Sequence, residues 1–190
     1  MTDTPKFPNW FIGQQYNFEE QLTHLKGKPD LRFLQIGAYT GDATVWLLDN
    51  ILTDQSSHLI DIDTWQGSDE REHHAMDFNE VYQHYLTRTG DRDNLHIFKA
   101  KSEHVLPNLN QEFDFIYVDG DHTTKAVYQD AIDSWKLLKS GGIIAFDDYL
   151  WGWDVHPSLR PQGAIDQFMD EHKGEYDVLV NSYQMWLLKK

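Results

Sequence analysis

Two short stretches of this sequence place carboxylates where apolar runs end. Tyr117-Val118-Asp119-Gly120-Asp121-His122 and Ile144-Ala145-Phe146-Asp147-Asp148-Tyr149 each pass abruptly from buried-type to acidic residues. If the two runs are neighbouring strands, their tips lie about 5 Å apart, and Asp119, Asp147 and Asp148 converge on one spot. Carboxylates held so close repel one another unless a proton or a cation neutralises them. Oxygen-only ligands favour Mg²⁺, with Ca²⁺ or Mn²⁺ as alternatives. A divalent ion lowers the pKa of a hydroxyl bound to it, and His122, close after Asp119, is placed to take the proton as general base. Taken singly, Asp-Gly is usually a turn, a strand-end Asp-Asp is usually solvated, and a histidine is more often a cap or a surface residue. Both motifs in one chain shift the balance to a functional cluster. Asp121 suits helix capping or support of its neighbours better than ligation.

These residues need a scaffold, and the pattern supplies one. β-rich runs occur at Leu31–Gly37, His58–Asp63, Leu95–Ala100, Phe113–Gly120, Gly142–Asp148, Tyr176–Asn181 and Gln184–Lys190. Helical spacing fills the gaps between the first six. Thr40–Leu52 sets Thr44, Leu47, Leu48 and Ile51 on one face, and Asp77 caps a helix bearing Phe78, Val81, Tyr82 and Tyr85. Ser102 is expected to cap a short helix. Thr123–Lys139 ends in lysines before Gly141-Gly142, a helix-stop signal, and Pro161 suits the first turn of a final helix. Alternating strands and helices imply a parallel sheet covered on both faces, an α/β doubly wound architecture. Only Ser182-Tyr183 separates the last two runs, too short a link for parallel neighbours, so one of them must be antiparallel. A single domain over residues 1–190 is expected, with an N-terminal helical or loop segment at 1–28 and the core at 31–190.

In such sheets ligands bind beyond the carboxyl ends of the strands. The first run ends in Gln35-Ile36-Gly37-Ala38-Tyr39-Thr40-Gly41, a GxxxG turn that lets the backbone approach a ligand. The second ends in Asp61-Ile62-Asp63, where an acidic tip can accept from paired sugar hydroxyls. Alternation puts both aspartates on one face, and Asp63 is favoured because it lies at the carboxyl end. The third run leads to Lys101-Ser102 at the same edge.

Composition narrows the function. Sixteen basic against 31 acidic residues give a formal charge of −15, which repels phosphate backbones and anionic lipid. Neither a nucleic-acid substrate nor a membrane partner is expected. No apolar run approaches a membrane span, and the absence of cysteine excludes disulfides and thiolate chemistry and makes a reducing cytoplasm the default. The stretches Trp65–Arg92 and Tyr149–Pro157 are long and emerge at the ligand edge. Trp151 and Trp153 suit a sugar or aromatic acceptor, or simply pack a loop, and His73-His74 reads better as solvated than as a metal pair. Trp10 and Phe11 either close over a ligand or seal an edge.

With these motifs in order, the chain resembles the class I S-adenosylmethionine (SAM)-dependent methyltransferases, closest to the Methyltransf_24 type, from about Leu31 to Lys190. The resemblance implies a Rossmann-like seven-stranded sheet of order 3-2-1-4-5-7-6 with strand 7 antiparallel. It implies that Gln35, Gly37, Tyr39 and Gly41 border the cofactor, that Asp63, Thr64 and Trp65 take its ribose side, and that Lys101 and Ser102 meet its adenine edge. Asp119 would face both cofactor and metal. Asp119 followed by His122, then Asp147-Asp148, is similar to macrocin-type sugar O-methyltransferases, which implies Mg²⁺ on Asp119, Asp147 and Asp148 and catalysis by His122 and Asp119. One departure is Gln35, where an acidic residue is usual. The expectation is metal-assisted O-methylation of a small hydroxylated acceptor, a sugar, polyketide or aromatic, with the oligomeric state left open and a homodimer one possibility. The alternatives are a metal-free N-methyltransferase, a nicotinamide-dependent oxidoreductase and a non-catalytic nucleotide-binding protein.

Overall fold

The computed structural model describes residues 6–68 and 73–190. The stretch Met1–Pro5 and most of Glu70-Arg71-Glu72-His73 lie outside the described residues. Strands β1 (Arg32–Ile36), β2 (His58–Asp63), β3 (Leu95–Lys99), β4 (Phe113–Val118), β5 (Leu138–Phe146), β6 (Tyr176–Asn181) and β7 (Met185–Lys189) form one sheet of order β3-β2-β1-β4-β5-β7-β6. β7 runs antiparallel to both β5 and β6, and the other pairs are parallel. The sheet order and the reversed strand agree with the expectation drawn from the resemblance.

The period-2 alternation of the strands divides the core. Leu34, Ile36, Ile60, Ile62, Ile116, Val118, Ile144 and Phe146 point to one face. There they meet helices α4 (Ser102–Val105), α5 (Thr124–Leu137) and α6 (Gln162–Glu171). Phe33, Leu59, Phe115, Tyr117, Ile143, Ala145 and Trp186 point to the other, against α1 (Gln15–Leu22) and α2 (Asp42–Asn50). Each such side chain contributes about 1.5–3 kcal/mol on burial, so a slip of one residue in any central strand would exchange the two cores. A further helix, α3 (Phe78–Thr89), packs Val81 and Tyr85 on Trp65, and Asp77 caps it by accepting from the Asn79 N–H at 2.9 Å.

Two local expectations differ. α5 stops at Leu137 and β5 starts at Leu138, because Leu138 is buried and pairs with Phe113 across a register shift. Strand pairing therefore takes residues that the lysines assigned to the helix, and Gly141, at φ 78°, lies inside β5. Ser102 opens α4 without capping it. Lys101 takes the cap position, and the Ser102 hydroxyl donates instead to Asp130 of α5 at 2.5 Å.

Candidate active site

The turn after β1 is set by close backbone packing. Gly37 has φ 85°, and a Cβ there would lie 1.7 Å from the Asp119 carbonyl oxygen. The loop leaving β1 thus touches the loop leaving β4, which only glycine permits. Asp63, at the end of β2, holds this turn: Oδ2 accepts from the N–H groups of Ala38 and Tyr39 at 2.8 and 2.9 Å, and Oδ1 from Trp65 N–H at 2.7 Å. Trp65 is 3% exposed and donates from Nε1 to the Tyr39 carbonyl at 2.9 Å. Below the turn lies a buried polar cluster. Gln35 donates to the Gly37 carbonyl at 2.8 Å, and Asp61 accepts from Thr44 and Tyr85 hydroxyls, both at 2.6 Å. Burial raises the Asp61 carboxyl to about 7, against the pull of those two donors.

Beyond the turn opens a cavity of about 910 Å³, whose wall includes Gly37, Asp63, Thr64, Lys101 and Ser102. Gln35, Gly41 and Trp65 do not reach it; they stand behind and fix the loop. Tyr39 faces a second cavity of about 390 Å³, together with Trp10, Asp119, His122, Trp151 and Tyr183. Gly120 and His73 border both spaces.

The acidic cluster lies in the second cavity. One ligand atom from each of Asp119, His122 and Asp148 lies within 4.8 Å of the others, and His122 Nε2 is 2.9 Å from Asp148 Oδ2. The expected set is changed at one position. Asp147 lines the same cavity, but its oxygens are engaged by protein donors: the Tyr117 hydroxyl donates to Oδ2, while Oδ1 accepts from Gln184 Nε2 at 3.1 Å and from Asp148 N–H at 2.8 Å. Gln184 is itself fixed by the buried Asn17 of α1, 2.9 Å away. Asp148 takes φ 56°, a left-handed conformation that aspartate tolerates better than most residues. In the group of ligand-competent atoms His122 stands with Asp119 and Asp148 where the sequence expectation had Asp147. Burial, then Asp148, raises the Asp147 carboxyl. Tyr183, from the hairpin between β6 and β7, shares this cavity with Asp148, and burial and that carboxylate push its hydroxyl well up.

Aromatic rings enclose the cluster. Trp151 lies edge-on to His122 with centroids 4.7 Å apart, and Trp10 stacks on Tyr39 at 4.6 Å. Trp153 is 84% exposed and plays no such part, while Phe11 is buried against Phe18 and Trp46. Sequence reasoning missed Tyr183, Tyr117 and Asp130. The first had a signal, because a hairpin ending in an antiparallel strand must turn at the ligand edge. Asp130 had one too, as a carboxylate among the buried Val127, Ala131, Ser134 and Trp135 of α5.

Known proteins give the same frame. The protein R132 of Acanthamoeba polyphaga mimivirus, itself uncharacterised, is 27% identical over 154 residues, covering 76% of this chain and 65% of its own. Caffeoyl-CoA O-methyltransferase of Populus kitakamiensis is 27% identical over 126 residues, covering 63% and 47%. The chain therefore spans less than two thirds of the length of either relative. Among solved structures, the methyltransferase MycE of the mycinamycin pathway, bound to Mg, SAH and mycinamycin VI, superposes with a TM-score of 0.64 at 16% identity over 98% of this chain and 51% of that one. That likeness is one of fold. The family model described as a methyltransferase domain matches residues 34–149, and the chain belongs to that family.

Proposed function

We propose that this chain is a SAM-dependent O-methyltransferase of a small hydroxylated acceptor, assisted by a divalent cation. The observation that carries the reading is the pair of cavities joined at Gly120, one walled by the glycine turn and Asp63, the other by the Asp119–His122–Asp148 cluster. The first suits an adenosyl cofactor: Gly37, packed on the Asp119 backbone, puts the turn after β1 in its wall, and the Asp63 carboxylate borders the same space. The carboxylates of the second, Asp119 and Asp148, fit a divalent metal, with Mg²⁺ or Mn²⁺ favoured by the oxygens, and leave His122 beside them as a base. The Mg bound to MycE supports this assignment.

When bound, the sulfonium supplies an electrophilic methyl and the cation lowers the pKa of the acceptor hydroxyl. Asp119 and Asp148 would hold the cation, with Asp147 braced beside them by Tyr117 and Gln184. His122 would take the acceptor proton, and Asp148, whose Oδ2 lies 2.9 Å from Nε2, would stabilise the resulting imidazolium. Trp10, Trp151 and Tyr183 exclude water and offer flat surfaces to the acceptor. No lysine or arginine lines this cavity among the described residues, which favours an uncharged or cationic acceptor over an anionic one.

Isothermal titration with SAM, with and without Mg²⁺, followed by transfer of labelled methyl to a panel of hydroxylated acceptors, tests the reading. SAM binding in both conditions and transfer only with the metal are expected. Absence of SAM binding would overturn it.

A further inference from the structure

Asp147 is held by residues from outside the span 34–149 that the family model matches. Its Oδ1 accepts from Nε2 of Gln184, which immediately precedes β7. A glutamine amide has a donor end and an acceptor end, and either can face a neighbour. Here the choice is forced. Trp186 can only donate, and its Nε1 lies 2.9 Å from Gln184 Oε1. Asn17 of α1 donates from Nδ2 to the same oxygen at 2.9 Å. With Oε1 held twice, Nε2 is the end that faces Asp147. Gln184 and Trp186 are 0% exposed and Asn17 is 1% exposed. Polar groups buried so deeply are costly unless paired, and an apolar side chain in place of Gln184 would carry no such demand.

We propose that Gln184, its amide direction set by Trp186 and Asn17, is a positioning residue of the cation site: it anchors Asp147 and, through the Asp148 N–H, holds the Asp148 carboxylate beside Asp119 and His122. The inference rests on the divalent-cation reading given above. The contacts form one chain. Asp147 Oδ1 accepts from Gln184 and from the Asp148 N–H, the latter at 2.8 Å, and Asp148 is the residue with φ 56°. Asp148 Oδ2 then lies 2.9 Å from His122 Nε2. A reversed Gln184 amide would set one acceptor against another at Asp147 and leave the Trp186 N–H facing an NH₂ group. Groups that orient the ligands of a metal, without touching it, typically change its affinity by roughly 10–100-fold when they are removed. The helix α1 and the last strand thereby take part in a site whose carboxylates come from the ends of β4 and β5.

The test is titration of the full chain with Mn²⁺ alone, the free ion being read by electron paramagnetic resonance. Gln184→Met keeps the length of the side chain but removes the N–H to Asp147, and should weaken Mn²⁺ binding by roughly tenfold or more. Trp186→Phe keeps Gln184 but frees its oxygen from one donor, and should weaken Mn²⁺ binding by a smaller factor. Titration with S-adenosylhomocysteine reports that each variant folds, and if Gln184→Met does not, Trp186→Phe decides. Ile165→Ala opens the core on the opposite face of the sheet; it should lower the melting temperature and leave Mn²⁺ affinity as it is, which separates positioning from a general loss of stability. Unchanged Mn²⁺ affinity in Gln184→Met or in Trp186→Phe, or an equal loss in Ile165→Ala, would overturn the proposal. A wild type that binds no Mn²⁺ would instead overturn the cation reading on which it stands.

Discussion

The cavity under the glycine turn and the cavity beside Asp119 share Gly120, yet they are made of different materials. The first is shaped by backbone: a positive-φ glycine against a carbonyl, and an aspartate bound to three N–H groups. The second is shaped by side chains that the sheet ends, the N-terminal segment and a hairpin bring together. Backbone-built space is preorganised by the fold, whereas side-chain-built space depends on a few contacts that single substitutions can remove.

The largest expected effect breaks the division itself. Gly37→Ala forces the β1 and β4 loops apart and should cost roughly 3 kcal/mol or more of stability, abolishing SAM binding and acceptor turnover together, as thermal unfolding and titration would show. Loss of only one activity would mean that the two loops are less tightly packed than the clash of a Cβ at Gly37 with the Asp119 carbonyl requires. His122→Gln should instead separate them, lowering kcat by roughly 10²–10⁴ while SAM affinity stays within about twofold. A parallel fall in SAM affinity would place His122 in the first cavity.

A smaller effect concerns the support of the turn. Asp61 is raised from its ordinary 3.8 to about 7 by burial, so the folded chain keeps a proton that the unfolded chain releases. The resulting stability is present at low pH and is lost as pH climbs from about 4 to 7. Melting temperatures of wild type and Asp61→Asn should therefore diverge over that window, the wild type falling more steeply. Parallel curves would show that Asp61 is ionised in the fold. Smallest of all, Trp153→Ala should change stability by no more than about 0.5 kcal/mol, and measurable loss would mean that this ring packs on a partner.

The same contrast explains what the sequence made legible. Alternation in β1, β2, β4 and β5 and the short Ser182-Tyr183 link determine the layers and the reversed strand, because burial on both faces leaves few other solutions. Asp119 and Asp148 were readable as carboxylates at strand tips. The bonding of Asp147 was not, since it depends on Gln184 and, through it, Asn17, residues distant in the chain. Nor did Trp65 show that it would be a brace: its place depends on the rings of Tyr82 and Tyr85, centroids 4.6 and 4.7 Å away.

The reversed last strand also sets how the molecule can be handled. β7 begins opposite Phe146, at the ligand edge, and pairs Leu188 with Ile143 as it travels away from it. Anything joined after Lys190 therefore leaves from the far end of the sheet, opposite both cavities. Trp10 lies at the mouth of the smaller one. An affinity tag or a fluorescent fusion belongs on the carboxyl side, and immobilisation through that end would present the binding edge to solution.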